Sequence, residues 1–367
     1  MRTDKEHILI MTSEFPPQPG GIGNHAYNLA KYLDAYGHLI TVITDQRSFD
    51  GNEEKEFDAS LNFSVIRIKR MRLRFLMYLQ RIQLLLKQFR SSSYIIATGK
   101  FALWSVAFCT LFFNKPTIAV IHGSEVNFKN TLLRWSINWS LKRMGRLVAV
   151  SEFTKGLISK FEEKTTVISN GIMFSNWNTF KSASESVKGN PVLTTVGRVS
   201  ERKGQLNVIK HLPELARLYP DIHYHCIGIP TQANAFMNIA RSLHVDKMVT
   251  FHGSLKDDEL KQILGQTNVF LMLSSESKSG DVEGFGIAIL EANAMGVPAI
   301  GAVACGIEDA IKNGETGRLI HPDNSLELKE ALVDILDHKG SYSESAQQWA
   351  QQHDWSQIIK YYLELIK

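Results

Sequence analysis

The stretch HILIMTSEFPPQPGGIGNHAYNLAKYLDAYGHLITVITD, residues 7–45, contains a strand pattern, a glycine-rich turn, a helix pattern and a second strand pattern. Gly37 follows the helix pattern, where a C-terminal cap is expected. A strand, a helix and a strand in this order are typical of a βαβ unit with two parallel strands. The stretch therefore predicts a parallel sheet that is covered by helices.

The same alternation continues through the chain. The first half has strand patterns at 7–13, 38–44, 63–68, 94–98, 117–123, 146–151 and 165–171. A second series follows the polar stretch 176–191, with strand patterns at 191–198, 222–228, 249–253, 269–274, 297–302 and 317–320. A chain of 367 residues exceeds the size of one ordinary core. We therefore predict an α/β protein with two doubly wound, Rossmann-like domains, residues 1–183 and 184–352, and a terminal helix at 353–367 that can finish either domain.

Composition indicates an ordinary globular protein, because 44% of the residues are hydrophobic and 21% are charged. The three cysteines, Cys109, Cys226 and Cys305, are isolated, which argues against a disulfide framework or a zinc cluster. The N-terminal residues lack the pattern of a signal peptide. The apolar run 101–113 is too short to span a bilayer and predicts a buried helix. We expect a cytoplasmic protein.

Positive charge is concentrated between Arg67 and Arg90, although the net charge of the chain is only +4. This segment has no acidic residue, and apolar residues alternate with its basic ones, which are Arg67, Lys69, Arg70, Arg72, Arg74, Arg81, Lys87 and Arg90. Such a composition suits an anionic membrane surface, and Arg70, Arg72, Arg74 and Arg81 are candidates for contacts with lipid or acceptor. An amphipathic helix with a solvated basic face is the alternative. We expect no nucleic-acid partner.

The glycine-rich turn raises the question of a dinucleotide site. Residues 21–26 match GxGxxA, and Asp45 ends the next strand, where a dinucleotide-binding acid would lie. However, Glu14–Pro19, with three prolines, separate the strand from the glycines, so the loop is too long for that turn. Gly21 and Gly23 instead predict a close approach to an anion at a helix N-terminus. A glycine turn without a ligand remains the alternative.

Two cations follow the first strand of the second series, in VGRVSERKGQ, residues 196–205. Arg198 and Lys203 lie five positions apart in a loop between a strand and a helix. Ligands of open α/β sheets bind at the carboxyl ends of the strands. Two fixed cations at that edge would suit a diphosphate, whereas the alternative is a solvated charged loop.

Two carboxylates, Glu283 and Glu291, are separated by a short glycine turn and an apolar run. Apolar residues on both sides of Glu291 predict that it is buried, and a buried carboxylate requires a polar partner. The hydroxyl groups of a ligand would serve. A solvent-facing Glu283 and a Glu291 that merely favours the helix dipole are the alternatives.

Together, these motifs resemble the retaining GT-B glycosyltransferases of family four, the "glycosyl transferases group 1" type. The matching elements are the glycine turn at 20–23, Arg198 with Lys203, and the Glu-x7-Glu segment from Glu283 to Glu291. The segments IHGSE at 121–125 and NGETGRLI at 313–320 are further points of resemblance to this family. The resemblance implies two Rossmann-like domains that face each other across a cleft, and a C-terminal helix that packs on the first domain.

The resemblance also implies roles for the site residues. Glu283 would bind donor-sugar hydroxyls, Glu291 would bind the ribose, and Arg198 and Lys203 would neutralise the leaving diphosphate without a metal or another cofactor. His122 would lie near the reacting sugar. The remaining donor contacts would come from Gly21, Gly23, Phe285, Gly286 and Ile287.

The implied function is transfer of a hexose from a UDP- or GDP-sugar to a glycan or lipid-linked hydroxyl, with retention of configuration, in bacterial surface polysaccharide or lipopolysaccharide synthesis. The enzyme would be cytoplasmic or peripheral on the inner face of the cytoplasmic membrane. A catalytically silent nucleotide-sugar-binding partner of an assembly complex is one alternative. An NAD-dependent oxidoreductase is another, although it leaves the four charged site residues without roles.

Overall fold

The computed structural model describes residues 5–71, 73–178 and 186–367. Its contacts divide the chain into two compact units, Met1–Asn170 with Trp355–Lys367, and Gly171–Asp354. The sequence places the first boundary at 183/184, which lies outside the described residues. The contacts place it earlier, because Ile172 N–H donates to His353 O at 2.9 Å and Phe174 N–H donates to an Asp354 carboxylate oxygen at 2.9 Å. Residues 171–178 therefore belong with the second unit.

The first unit has seven described strands: β1 (His7–Thr12), β2 (Leu39–Asp45), β3 (Ser64–Ile68), β4 (Tyr94–Thr98), β5 (Thr117–Ile121), β6 (Arg146–Ala149) and β7 (Thr165–Val167). Its helices before the boundary are α1 (Gly21–Ala35), α2 (Asn52–Ala59), α3 (Arg74–Phe89), α4 (Lys100–Cys109), α5 (Thr131–Arg143) and α6 (Glu152–Leu157). All pairings are parallel, in the order β3-β2-β1-β4-β5-β6-β7. The order reverses between β1 and β4.

The second unit has six described strands: β8 (Val192–Val196), β9 (His223–Ile227), β10 (Val249–Gly253), β11 (Val269–Met272), β12 (Ala299–Ala302) and β13 (Gly317–Ile320). Its helices are α7 (Gln205–Leu218), α8 (Ala233–Ser242), α9 (Asp257–Leu264), α10 (Ile287–Ala294), α11 (Ser325–Asp337) and α12 (Lys339–Gln352). The parallel order is β10-β9-β8-β11-β12-β13, and it reverses between β8 and β11. Such reversals are where open α/β sheets bind ligands.

The strand patterns of the sequence are confirmed in every case within the described residues. The physical reason is visible in β1, where Ile8, Leu9, Ile10 and Met11 are completely buried. A parallel strand with helices on both faces reads as a continuous apolar run, and continuous runs are the clearest strand signal in a sequence. The α/β fold of two doubly wound units is thus confirmed.

The last helix, α13 (Trp355–Leu365), packs on α1 within the first unit. Trp355 and Tyr362 are completely buried, and the Tyr362 hydroxyl lies 3.0 Å from His25 Nε2. The chain thus returns to its first unit over its last thirteen residues, from Trp355 to Lys367.

The apolar run 101–113 folds as predicted only in part. Residues Ala102, Leu103 and Val106 of α4 are fully buried, but the helix ends at Cys109, and Phe112 beyond it is 62% exposed. Among the described residues, no helix combines the length and the apolarity that crossing a bilayer requires.

Arg81 corrects the membrane prediction for the segment 67–90. Its side chain is buried, and its guanidinium donates to both carboxylate oxygens of Asp45, at 2.7 and 2.8 Å. The guanidinium also lies over the rings of Tyr78 and Phe101, 5.0 and 5.4 Å from their centroids. The prediction of a membrane contact is therefore wrong for Arg81, and Asp45 serves a structural ion pair. Arg70 is exposed, as the prediction requires, while Arg72 and the side chain of Arg74 lie outside the described residues.

Asp45→Asn leaves the buried Arg81 charge without its counter-ion, so we expect the free energy of unfolding to fall by about 3 kcal/mol. Urea unfolding measures this change. The matched control is Lys87→Gln, which alters an exposed charge on the same helix and should change stability by less than about 0.5 kcal/mol. Equal stability of the two variants would contradict the structural role of the pair.

Candidate active site

The reversal point of the second sheet brings two loops together. The loop after β8 turns into α7 at Gly204, whose φ is +80°, and the loop after β11 passes beside it. A Cβ on Gly204 would lie 2.1 Å from the carbonyl oxygen of Leu273, so a larger residue cannot be accommodated here. Glycine thus permits the contact between the loops that carry the charged site residues.

A cluster of charges joins these loops. Lys203 Nζ lies 2.8 Å from a Glu283 carboxylate oxygen, and the Arg202 guanidinium donates to the same oxygen. Arg202 also pairs with Asp281, with 3.0 Å between Nε and Oδ2. Burial alone would raise the pKa of Glu283, but the nearby Lys203 and Arg202 outweigh burial and lower that pKa. Glu283 is therefore an ionised carboxylate held between two cations.

Arg198 differs from these paired cations. Its side chain is exposed, and its guanidinium has no ion pair within the part of the chain that the structure describes. Its backbone is held by Gln205, which is fully buried and donates from Nε2 to Arg198 O at 3.2 Å. The loop therefore has a fixed backbone while the Arg198 guanidinium is available to an anion.

The turn between the two glutamates is tightly packed. Phe285 is buried, and Gly286, with φ +94°, begins α10 at Ile287. Gly306 N–H donates to Glu283 O at 2.8 Å, and a Cβ on Gly306 would lie 2.0 Å from Gly284 O. The backbone around residues 283–287 is consequently fixed before any ligand binds.

Glu291 lies in the second turn of α10 and is partly buried. Burial raises its pKa to about 7, with a smaller opposing effect of Lys203. The structure gives it no hydrogen bond or ion pair with another described residue. A carboxyl group in this state can accept a hydrogen bond from a ligand hydroxyl, as the sequence predicts.

His122 follows β5 in the first unit. Its Nε2 lies 2.9 Å from Thr98 Oγ1 at the end of β4, and its backbone N–H donates to Glu125 Oε1 at 2.6 Å. Burial lowers the pKa of His122 to about 4, and the His25 ring lies 5.0 Å away. The imidazole is thus neutral at physiological pH and fixed at the edge of the sheet.

The two glycines at the start of α1 have different environments. Gly21 is exposed in the first turn, whereas Gly23 is buried, and a Cβ on it would lie 3.0 Å from the backbone of Glu14 and Phe15. Glu14 Oε2 lies 2.2 Å from where a Cβ on Gly20 would be. Gly23 therefore allows the loop at Glu14 and Phe15 to pack closely on α1. The carboxylate near the start of α1 is that of Glu14.

Three site residues escaped the sequence reasoning: Arg202, Asp281 and Glu125. Arg202 is adjacent to Lys203 in the sequence, and only the fold shows that both point to Glu283. Glu125 is 5% exposed, its Oε2 has no partner among the described residues, and burial raises its pKa to about 7. The sequence signal that could have identified Glu125 is its position three residues after His122.

The predicted site residues therefore form two groups. The structure brings together Lys203, Glu283, Phe285, Gly286, Ile287 and Glu291 in the second unit, with Arg198 on the same loop as Lys203. The first unit holds Gly21, Gly23 and His122. The group in the second unit combines cations with carboxyl groups, which is a suitable receptor for an anion that bears hydroxyl groups.

Comparison with known proteins matches both units. A family model described as "Glycosyl transferases group 1" matches residues 178–354, and one described as "Glycosyltransferase Family 4" matches residues 19–175. Glycogen synthase of Mycobacterium tuberculosis is 24% identical over 401 residues, which cover 96% of this chain and 92% of the relative. A GDP-mannose-dependent monoacylated alpha-(1-6)-phosphatidylinositol monomannoside mannosyltransferase of Corynebacterium glutamicum is 26% identical over 347 residues, which cover 90% and 88%. The structure of Anabaena Alr3699/HepE in complex with UDP and glucose has a TM-score of 0.80 at 20% identity and covers 98% of both chains.

The raised pKa of Glu291 predicts a pH dependence of stability. Between about pH 4.5 and pH 7, the folded protein holds a proton that the unfolded chain has released, so the free energy of unfolding falls as the pH rises. Glu291→Gln removes this dependence. Between about pH 4.5 and pH 7, the free energy of unfolding of the variant should therefore rise relative to that of the natural protein by on the order of 3 kcal/mol. Urea unfolding at a series of pH values measures the difference in free energy between the two proteins. Both contain Glu125, so its similar contribution cancels in that difference. Parallel curves for the two proteins would contradict the burial of this carboxyl.

Proposed function

Because the chain belongs to the GT-B glycosyltransferases of family 4, whose two models match its two units in order, we propose that it is a retaining hexosyltransferase. The donor is a nucleotide diphosphate sugar, and the acceptor is a hydroxyl of a glycan or of a lipid-linked saccharide. The donor binds mainly to the second unit, and the acceptor binds mainly to the first.

The observation that carries the proposal is the charge cluster at the reversal point of the second sheet. The Arg198 guanidinium has no ion pair with any residue that the structure describes, and Lys203 is held 2.8 Å from Glu283. A diphosphate that leaves from the sugar gains negative charge, and fixed cations that face it stabilise the transition state. The cations thereby supply the charge that a metal ion supplies in other phosphate chemistry, and we propose a reaction that needs neither a metal nor another cofactor.

The carboxyl groups complete the donor site. Glu291, with its raised pKa, exchanges hydrogen bonds with the ribose hydroxyls, and Glu283 accepts hydrogen bonds from hydroxyls of the transferred sugar. The backbone N–H groups of Phe285, Gly286 and Ile287 lie on the fixed turn between these residues and add contacts to sugar or phosphate. Gly21 contributes from the exposed start of α1.

The proposed transfer requires no protein nucleophile. The bond between the anomeric carbon and the diphosphate oxygen breaks, and the acceptor oxygen bonds to the same face of that carbon. The acceptor proton passes to the leaving diphosphate. His122, neutral because burial lowers its pKa, positions the sugar and does not take that proton.

The relatives support the class of donor and acceptor. Anabaena Alr3699/HepE was solved with UDP and glucose, and the Corynebacterium relative is GDP-mannose-dependent. A relative in Salmonella typhimurium is a putative colanic acid biosynthesis glycosyltransferase. We therefore propose a UDP- or GDP-sugar as donor and a role in bacterial surface polysaccharide or lipopolysaccharide synthesis, with peripheral association at the inner membrane face.

Thermal unfolding with nucleotide diphosphates tests the donor site. UDP or GDP at about 100 times its dissociation constant should stabilise the protein by about 2.7 kcal/mol, and EDTA should not reduce the effect. ADP and NAD are the comparison ligands. Stabilisation by NAD alone would overturn the proposal. The glycine turn would then be a dinucleotide-binding turn.

Arg198→Ala tests the cation role, because the substitution breaks no ion pair with the described part of the chain. We expect kcat/KM for sugar transfer to fall about 100-fold or more, with an unchanged midpoint of thermal unfolding. Arg241→Ala, which removes an exposed arginine of α8, is the matched control. Nuclear magnetic resonance of the product should show the donor's anomeric configuration. A protein that binds donor but transfers to no acceptor would instead be a silent binding partner.

A further inference from the structure

Basic residues greatly outnumber acidic ones in one long segment of the first unit. Between Asp58 and Glu152 the only acidic residue is Glu125, and its side chain is buried. The same interval contains fifteen basic residues: Arg67, Lys69, Arg70, Arg72, Arg74, Arg81, Lys87, Arg90, Lys100, Lys115, Lys129, Arg134, Lys142, Arg143 and Arg146. The helices of this interval are α3, α4 and α5, and α4 packs against both of the others. Arg67 and Arg81 pair with Asp58 and Asp45, whereas Lys69, Arg70 and Arg134 are exposed.

Large apolar side chains are exposed at the starts of two of these helices. Phe75 and Leu79 of α3 are 58% and 59% exposed, and Leu132 and Trp135 of α5 are 78% and 69% exposed. Burying such side chains is favourable, so exposed clusters of this size mark interaction surfaces.

A row of aromatic rings connects the two helix starts. Tyr78 of α3 contacts Phe101 of α4 with 5.6 Å between ring centroids, and Phe101 contacts Trp104 at 5.7 Å. Trp104 stacks on Phe128 at 6.4 Å, and Phe128 lies two residues before Asn130, which caps α5. The row of rings therefore extends from the start of α3 across α4 to the residues just before α5.

This surface lies at a defined end of the unit. Each of the three helices follows a strand of a parallel sheet, so each begins at the carboxyl edge of that sheet. His122 and Gly21 lie at the same edge. The apolar and basic surface is thus at the end of the unit that carries its candidate site residues.

We propose that the starts of α3 and α5 form a docking surface for an anionic lipid bilayer. Phe75, Leu79, Leu132 and Trp135 enter the interface between headgroups and acyl chains, and exposed Lys69, Arg70 and Arg134 contact the anionic headgroups. The combination of exposed apolar anchors with exposed basic residues, in an interval whose one acidic residue is buried, favours an anionic membrane over an uncharged protein partner. The purpose of docking, access to a lipid-linked acceptor, rests on the proposed function, whereas binding itself does not.

Co-sedimentation of the full chain with vesicles tests the proposal. We expect strong binding to mixed phosphatidylglycerol and phosphatidylcholine vesicles, weak binding to phosphatidylcholine alone, and release by high salt. The double variant Leu132→Glu and Trp135→Glu should bind the mixed vesicles roughly tenfold more weakly. Phe112→Glu is the matched control, because Phe112 is also well exposed, at 62%, but follows the other end of α4. Its binding should equal that of the natural protein.

The outcomes separate docking from catalysis. The double variant should keep the thermal midpoint, the stabilisation by nucleotide diphosphate and the transfer to a water-soluble acceptor. Equal vesicle binding by the double variant and the natural protein would overturn the docking surface without affecting the transferase proposal. A natural protein that dimerises through this surface, with vesicle binding absent, would also overturn it and assign the surface to a second copy of the chain.

Discussion

The shared ion pair of Glu283 with Arg202 and Lys203 joins the two loops that form the candidate site of the second unit. A carboxylate buried to this extent is unfavourable unless cations and hydrogen bonds compensate it. The two cations follow β8, and the carboxylate follows β11, so the compensation requires the loops on both sides of the reversal point to stay together. Gly204 and Gly306 make that possible because larger residues would clash with the adjoining backbone.

The first unit has the same topology but a different chemistry at its reversal point. Its loops meet where Gly99 approaches Ser13, with 2.8 Å from a Cβ on Gly99 to the Ser13 hydroxyl. The titratable groups near it include the neutral His122 and the carboxyl groups of Glu14 and Glu125. Carboxyl groups and a neutral imidazole suit an uncharged hydroxyl-bearing molecule and disfavour a diphosphate. The difference supports the assignment of donor and acceptor to different units, because function lies in the site and not in the fold.

Residues of one basic segment also end in opposite environments. Arg81 is buried against Asp45, whereas Lys69 and Arg70 are exposed at the start of the same region. Arg81 lies on the same face of α3 as the buried Leu85 and Phe89, whereas Lys69 and Arg70 precede the helix. Periodicity indicates an amphipathic helix, but a long arginine can either reach solvent or find a buried partner.

The sequence by itself determined the two parallel sheets, because fully covered strands must be continuous apolar runs, as Ile8–Met11 are, and the intervening helix patterns impose parallel connections. It also indicated that Arg198 and Lys203 lie in the loop after a strand, because an apolar run directly precedes that loop, and that Glu291 is buried, because apolar residues flank it. Only the tertiary structure decided that Arg202 shares Glu283 with Lys203, that Gly23 packs on the loop, and that residues 171–178 join the second unit. Pairings of this kind depend on distances between loops far apart in the chain, and local patterns carry no information on those distances.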